Sequence, residues 1–127
     1  MKYLGIDYGV KRIGVAVSDE GGSFAFPKAI VAPDQAINEI ASLCKSEQIS
    51  AIVIGESVAT NEQSNEIATK AAAFKAKLAL TTGLPIFFEQ EGFSTVEAHR
   101  YQTDAGPRDD SAAAIILQRF LDKQKKE

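Results

Sequence analysis

The chain has 127 residues, of which 45% are hydrophobic and 24% are charged. These are the proportions of a globular domain, so they exclude a disordered or fibrous protein and predict a single domain over residues 1–127. No apolar run reaches the ~20 residues of a membrane-spanning helix, so we expect no membrane partner. The single cysteine excludes an internal disulfide, and the start of the chain has no signal-peptide core, which together favour the cytoplasm. A net charge of -3 argues against a uniformly basic nucleic-acid coat but leaves room for local basic sites.

Three apolar segments near the N-terminus have the composition of β-strands. They predict strands over residues 3–7, 12–18 and 24–31, with a turn over residues 19–22. Pro27 lacks an amide donor, so the third strand is expected at an edge of its sheet. The short connections between these strands predict an antiparallel meander.

Helical patterns follow the meander. A helix start is predicted at residues 33–34, and apolar residues at helical spacing predict a second helix around residues 67–78. A capping box predicts that another helix begins at Ser94. The final helix is predicted over residues 111–122, which are rich in Ala, Ile and Leu.

Two short strands separate these helices. Residues 51–55 are wholly apolar, as in a strand buried on both faces of a parallel sheet, and residues 86–89 follow a Gly-Leu-Pro turn signal. The predicted order is β-β-β-α-β-α-β-α-α. It predicts an α/β fold with a mixed five-stranded sheet, an antiparallel three-strand meander plus two βα crossovers, flanked by helices.

Asp7 is the first candidate for chemistry. It ends a predicted buried strand and precedes Gly9 in a turn, a place that core packing does not explain. A turn-forming role would account for Asp7 equally well. Both interpretations remain open on the residues alone.

Four stretches of the chain together resemble the YqgF family, whose members are described as Holliday junction resolvases or pre-16S rRNA nucleases. The resemblance covers essentially the whole chain, and the motifs occur in the family's order. They are residues 5–16 (GIDYGVKRIGVA), residues 83–85 (GLP) leading into Glu91, residues 94–98 (STVEA) and residues 109–121 (DDSAAAIILQRFL).

The resemblance implies a ribonuclease-H-like fold and a hydrolase, a nuclease of the two-metal-ion type. Asp7, Glu91 and Asp109 match the family's active-site acids and are the implied catalytic residues and metal ligands. Mg²⁺ or Mn²⁺ is the expected cofactor, because these cations prefer carboxylate oxygens and activate water for phosphodiester hydrolysis. Asp110 is an alternative to Asp109, although a helix-terminal charge worth under about 1 kcal/mol would explain either residue. Glu56 is a further possible acid, since related RuvC-type resolvases carry one at the end of the fourth strand; a solvated loop position is the favoured interpretation.

Four other residues are candidates for nucleic-acid contacts. Lys11 and Arg12 follow the Asp7 turn, and Arg108 precedes Asp109, so each can approach a phosphate near the implied site. Thr95 can donate a hydrogen bond to phosphate, although helix capping explains its segment without any function.

The resemblance implies a nucleic-acid substrate and favours RNA, in 5′-end processing of pre-16S rRNA during ribosome biogenesis. A Holliday junction is the alternative substrate, and a resolvase would act as a homodimer, whereas RNA processing is compatible with a monomer. A non-catalytic ribosome-assembly module is a second class, because residues 90–92 (QEG) lack the family's usual Asp and Arg beside the central Glu. A nucleotide binder is a third, because Asp-Tyr-Gly before a strand also resembles sugar kinases and Hsp70-type ATPases.

Overall fold

The computed structural model describes residues 1–9, 11–56, 65–90 and 109–125. Its five strands are β1 (Tyr3–Asp7), β2 (Ile13–Ser18), β3 (Ala25–Val31), β4 (Ala51–Glu56) and β5 (Ile86–Gln90). Its described helices are α1 (Ala36–Ser46), α2 (Asn65–Thr82) and α3 (Asp109–Lys125). The helix predicted from Ser94 lies outside the described residues. None of the described helices is long and apolar enough to cross a membrane.

The strands form one mixed sheet in the order β3-β2-β1-β4-β5. β2 pairs antiparallel with both β1 and β3, and β4 pairs parallel with both β1 and β5. The meander and the two βα crossovers of the predicted α/β fold are thereby confirmed. Pro27 lies in the edge strand β3, as predicted, at a register shift opposite Ala16.

Strand alternation divides the core between the two faces of the sheet, because successive side chains point to opposite sides. One face packs against α1 and α2 through Leu4, Ile6, Ile52, Ile54, Ile40, Cys44, Phe74 and Leu78. The other face packs against α3 through Tyr3, Ala16, Ala51, Val53, Ala113, Ile116, Leu117 and Leu121. The odd-numbered positions of β1, including Asp7, therefore belong to the α3 face.

Some predicted boundaries were wrong by one to three residues. α1 begins at Ala36 rather than at residues 33–34, because the amide of Gln35 bonds to the carbonyl of Ala32 at 3.1 Å and closes a turn first. α3 begins at Asp109 rather than at residue 111, since its polar first residues lie outside the apolar pattern. β2 and β3 each begin one residue later than predicted.

Candidate active site

Three parallel strands end together at one edge of the sheet. Asp7 is the last residue of β1, is half-buried, and pairs in register with Gly55 of β4. Gly55 in turn pairs with Glu89 of β5, so the three positions form a row across the sheet. The carboxyl ends of parallel strands are where open α/β sheets place their ligands, which makes this edge the candidate site.

Both strand neighbours of Asp7 are glycines. Gly14 of β2 pairs with Asp7 on one side, and Gly55 pairs with it on the other. Because glycine has no side chain, neither of the two positions paired with Asp7 places side-chain atoms beside its carboxylate. A cross-strand neighbour is normally within about 5.5 Å and would occupy that space. This arrangement leaves room for a ligand beside Asp7 that a pair of larger residues would fill.

α3 packs closely against β1 because Gly5 allows it. A Cβ atom at Gly5 would lie 2.7 Å from Leu117 Cβ and 3.1 Å from the Ala113 carbonyl oxygen. At the start of the strand, the Tyr3 ring meets Phe120 at a centroid distance of 5.7 Å. Later residues of α3 thus lie beside the start of β1 and earlier residues beside its middle, so α3 runs antiparallel to β1.

The first turn of α3 therefore points towards the end of β1 that carries Asp7. Asp109 precedes Ala113 by four residues, which is about 6 Å along a helix axis. Gly5, which contacts Ala113, precedes Asp7 by two residues, which is about 6.6 Å along a strand. The backbone of α3 thus brings position 109 towards Asp7, on the face of the sheet to which Asp7 belongs. Position 110 follows in the same turn.

A tight turn follows Asp7. The residue after Asp7 lies on the opposite face of the sheet. A Cβ atom at Gly9 would lie 2.5 Å from the Arg12 carbonyl oxygen, so the turn requires glycine there. Tyr8 packs its ring against Phe74 of α2 at a centroid distance of 5.0 Å, on the face opposite α3. Lys11 and Arg12 are exposed in the turn, beside the candidate site.

Glu56 differs from Asp7 in its position on the sheet. It is the last residue of β4 and pairs with Gln90, one position beyond the row of Asp7 and Gly55. Its backbone position continues the alternating series of Ile52 and Ile54, which belongs to the face under α1 and α2. The sheet thus brings position 56 to the same edge as Asp7 but in the series of the opposite face. Glu91, Thr95 and Arg108 lie outside the described residues.

Glu89 is a buried acid at this edge of the sheet that the sequence interpretation missed. Its side chain is 3% exposed, and one carboxylate oxygen lies 2.7 Å from Lys123 Nζ and 3.8 Å from Arg119 Nε. These ion pairs connect the end of β5 to the C-terminal half of α3. The one signal in the sequence was that Glu89 lies two residues after Phe87 and so shares its face of the strand. The cationic partners of Glu89 lie about thirty residues away and cannot be assigned from spacing.

The donor chemistry of this edge suits a hard divalent cation. Asp7 offers carboxylate oxygens, which Mg²⁺ and Mn²⁺ prefer, while the softer ligand Cys44 is buried in α1. Among the side chains that the structure describes, no three His, Cys, Asp or Glu residues cluster as a metal site. A complete site would thus need further carboxylates. Position 109 lies in the first turn of α3, and Glu91 follows β5 in the sequence.

Comparisons with known proteins identify relatives of the chain. The family model RuvX, described as Holliday junction resolvase, matches residues 1–123. A relative from Nitratidesulfovibrio vulgaris carries the name "Putative pre-16S rRNA nuclease" and is 36% identical over 132 residues, covering 95% of this chain and 93% of that protein.

Two solved structures share the fold. Thermus thermophilus RuvC in complex with Holliday junction substrate superposes with a TM-score of 0.69 at 15% identity, covering 98% of this chain and 96% of that one. The Fowlpox virus resolvase, in a complex with substrate Holliday junction DNA, has a TM-score of 0.59 at 11% identity over 98% of this chain and 99% of that one. The fold is thus that of RuvC-like, ribonuclease-H-like resolvases, as predicted. Together with the match over nearly its whole length, this shows that the chain belongs to the RuvX (YqgF) family of nucleases.

Proposed function

We propose that the chain is a metal-dependent nuclease whose active site lies at the carboxyl edge of β1. The observation that carries the proposal is the position of Asp7. It ends the central strand between two glycines, on the face that the first turn of α3 approaches. A carboxylate held on a rigid central strand, with room beside it, can keep a fixed geometry towards a phosphodiester.

Asp7, Glu91 and Asp109 are proposed as the metal ligands and catalytic residues. Asp7 at the end of β1 and Asp109 at the start of α3 would hold the metal together with Glu91, which follows β5 in the sequence. When bound, Mg²⁺ or Mn²⁺ lowers the pKa of water and neutralises charge on the phosphate. Asp7 and position 109 would fix the place of that chemistry, because they belong to two separate elements, β1 and α3, that pack together. Asp110 and Glu56 are proposed as supplementary acids, with Glu56 the weaker candidate because its position belongs to the opposite face.

Basic and hydroxyl side chains near this edge are proposed to hold the substrate. Lys11 and Arg12 are exposed directly after the Asp7 turn, where their charges can neutralise phosphates on either side of the scissile bond. Thr95 and Arg108 are proposed to contribute further contacts from the segments that follow β5 and precede α3.

RNA is the proposed substrate, in the 5′-end processing of pre-16S rRNA. The support is the name carried by the relative that is 36% identical over nearly the whole of both chains. A cytoplasmic location is part of this proposal, because precursor rRNA is found in that compartment of a bacterial cell. Cleavage of a Holliday junction is the second candidate, and the description of the matching family model favours it. A resolvase would need two sites in a symmetric dimer, whereas RNA processing needs one.

The test compares substrates and metals directly. Labelled pre-16S 5′ leader, unrelated single-stranded RNA and a four-way DNA junction are incubated with Mn²⁺, Mg²⁺ or EDTA, with wild type and Asp7→Asn. The proposal predicts metal-dependent cleavage of the leader by wild type and none by the variant. Preferred junction cleavage by a dimer would establish the second candidate. Equal binding by both proteins without cleavage of any substrate would indicate a ribosome-assembly module that has lost the chemistry.

A further inference from the structure

A second concave site lies on the face of the sheet opposite α3. It is a groove of about 400 Å³ between α1 and α2. Its floor is apolar, formed in part by the buried ring of Phe74 and the half-buried ring of Tyr8, which pack together. Its polar lining comes from Asp34 and Asn38 before and within α1, and from Lys70 and Lys77 of α2.

The groove adjoins the candidate active site through the chain itself. Tyr8 follows Asp7 directly, so their Cα atoms are about 3.8 Å apart. Asp7 belongs to the α3 face, whereas Tyr8 packs against Phe74 on the α1 and α2 face. A polymer that passes over the carboxyl edge of β1 would therefore reach the groove immediately after Asp7.

The groove combines two exposed lysines with the half-buried ring of Tyr8, the ring accessible to a base, which packs on the buried ring of Phe74. Lys70, Phe74 and Lys77 follow each other at spacings of four and three residues, which places them on one stripe of α2. Among the described residues of the lining, Lys70 and Lys77 bring two exposed ammonium groups and Asp34 one carboxylate, in a chain of net charge -3. Lysines that neutralise phosphates and aromatic rings on which bases stack are the combination that binds single-stranded nucleic acid.

We propose that this groove binds the single-stranded nucleic-acid segment next to the scissile phosphate. Lys70 and Lys77 hold backbone phosphates of that segment, and Tyr8 and Asn38 face its sugar and base. The substrate strand then crosses the carboxyl edge of the sheet, with the reacting phosphate at Asp7 and the flanking nucleotide on the opposite face. This inference rests on the proposed nuclease function and extends it to the path of the substrate.

The test measures binding separately from cleavage. Fluorescence anisotropy with a labelled single-stranded RNA, and with DNA of the same sequence, is recorded from 0.05 to about 0.3 M salt in EDTA. Every protein carries Asp7→Asn, so the oligonucleotide stays intact. Lys77→Gln and Lys70→Gln are compared with Lys45→Gln, a matched exposed lysine in the last turn of α1. Lys45 is a suitable control because it lies far from Asp7. The end of α1 that carries Lys45 leads to Glu47, and Glu47 pairs with Lys2 just before β1, at the opposite end of the strand from Asp7.

Replacing a groove lysine that contacts a phosphate should make the negative slope of log affinity against log salt shallower by about 0.7. If parent and variant bind equally at 1 M salt, this difference in slope makes the variant bind about fivefold more weakly at 0.1 M, one decade lower. Lys45→Gln should leave the slope and the affinity unchanged. RNA and DNA should respond alike, because they carry the same phosphates.

Any of three results would overturn the proposal. The first is an unchanged slope in both groove variants. The second is an equal change in Lys45→Gln, which would reduce the effect to overall charge. The third is an absence of measurable binding by the parent protein. Because the measurement needs no catalysis, failure of the groove is distinguishable from failure of the nuclease function, which the cleavage assay decides.

Discussion

Gly5→Ala tests the contact that sets α3 against β1. The new Cβ would lie 2.7 Å from Leu117 Cβ and 3.1 Å from the carbonyl oxygen of Ala113. Carbon atoms in a packed core are about 3.5–4.0 Å apart, so the helix must retreat by about 1 Å. A rotamer change cannot relieve the clash, because one contacting atom is backbone and the other is a Cβ.

The energetic effect follows from two opposing contributions. Overpacking a core costs about 1–3 kcal/mol. Replacing glycine restricts the unfolded chain and returns about 0.4–1 kcal/mol. We therefore expect Gly5→Ala to lower the free energy of unfolding by about 0.5–2 kcal/mol and to lower the Tm by several degrees.

The same displacement should reduce activity further than stability. It moves the first turn of α3, and with it position 109, relative to Asp7, and a misplacement of about 1 Å can lower a rate by 10²-fold. Thermal unfolding by circular dichroism and single-turnover cleavage measure the two effects. Gly21→Ala is the control, since a Cβ there meets its nearest atoms at 3.7 Å and 3.9 Å. If Gly5→Ala matched Gly21→Ala in both Tm and rate, the Gly5 contact would not set the position of α3.

Three further predictions concern single side chains. Glu89→Gln should lower the free energy of unfolding by about 1–2 kcal/mol in urea, because it removes the charge that Lys123 approaches to 2.7 Å; an unchanged midpoint would show the pair to be incidental. Burial raises the pKa of the Cys44 thiol to about 11, so the thiol should resist iodoacetamide at pH 8 until denaturant is added. Because that folded-state pKa lies above the unfolded one, the stability of wild type relative to Cys44→Ala should be full at neutral pH and fall as pH rises from about 8.5 towards 11. Glu91→Gln should reduce cleavage more than Glu56→Gln, and the reverse order would make Glu56 the ligand.

Most of the fold could be predicted from the sequence, because the composition of a strand indicates whether it lies in the centre or at the edge of the sheet. Residues 51–55 are apolar throughout, and the structure buries them between two parallel neighbours. Pro27 excluded a central position and lies at the sheet edge. Boundaries were less predictable, since α1 starts only after a backbone turn at Gln35 that leaves no side-chain signature.

A site residue could be predicted from the sequence only when its place in its own strand identifies it. Asp7 could be identified because it ends a buried strand. Its register with Gly14 and Gly55 could not, because pairing between strands depends on the whole sheet. The buried charge of Glu89 was missed for the same reason, since its partners come from α3.

The groove between α1 and α2 could not be predicted from the sequence. It is lined by Tyr8, by residues 33–38 and by α2, which come together only in the folded chain. Lys70, Phe74 and Lys77 share a helical spacing that is visible in the sequence, but such a stripe is equally typical of an ordinary solvated helix face. The contact between Phe74 and Tyr8, which places the stripe beside Asp7, is a tertiary one.

Asp7 and Asp109 are proposed to belong to one metal site, and Mn²⁺ binding can be measured without any substrate. Mn²⁺ is titrated by calorimetry into wild type, Asp7→Asn, Asp109→Asn and the double variant, with the exposed α1 residue Glu39→Gln as control. We predict that each single variant loses binding, that the double variant loses no more, and that Glu39→Gln binds as wild type does. Wild-type Mn²⁺ binding by either Asp7→Asn or Asp109→Asn, with the fold intact, would contradict the account.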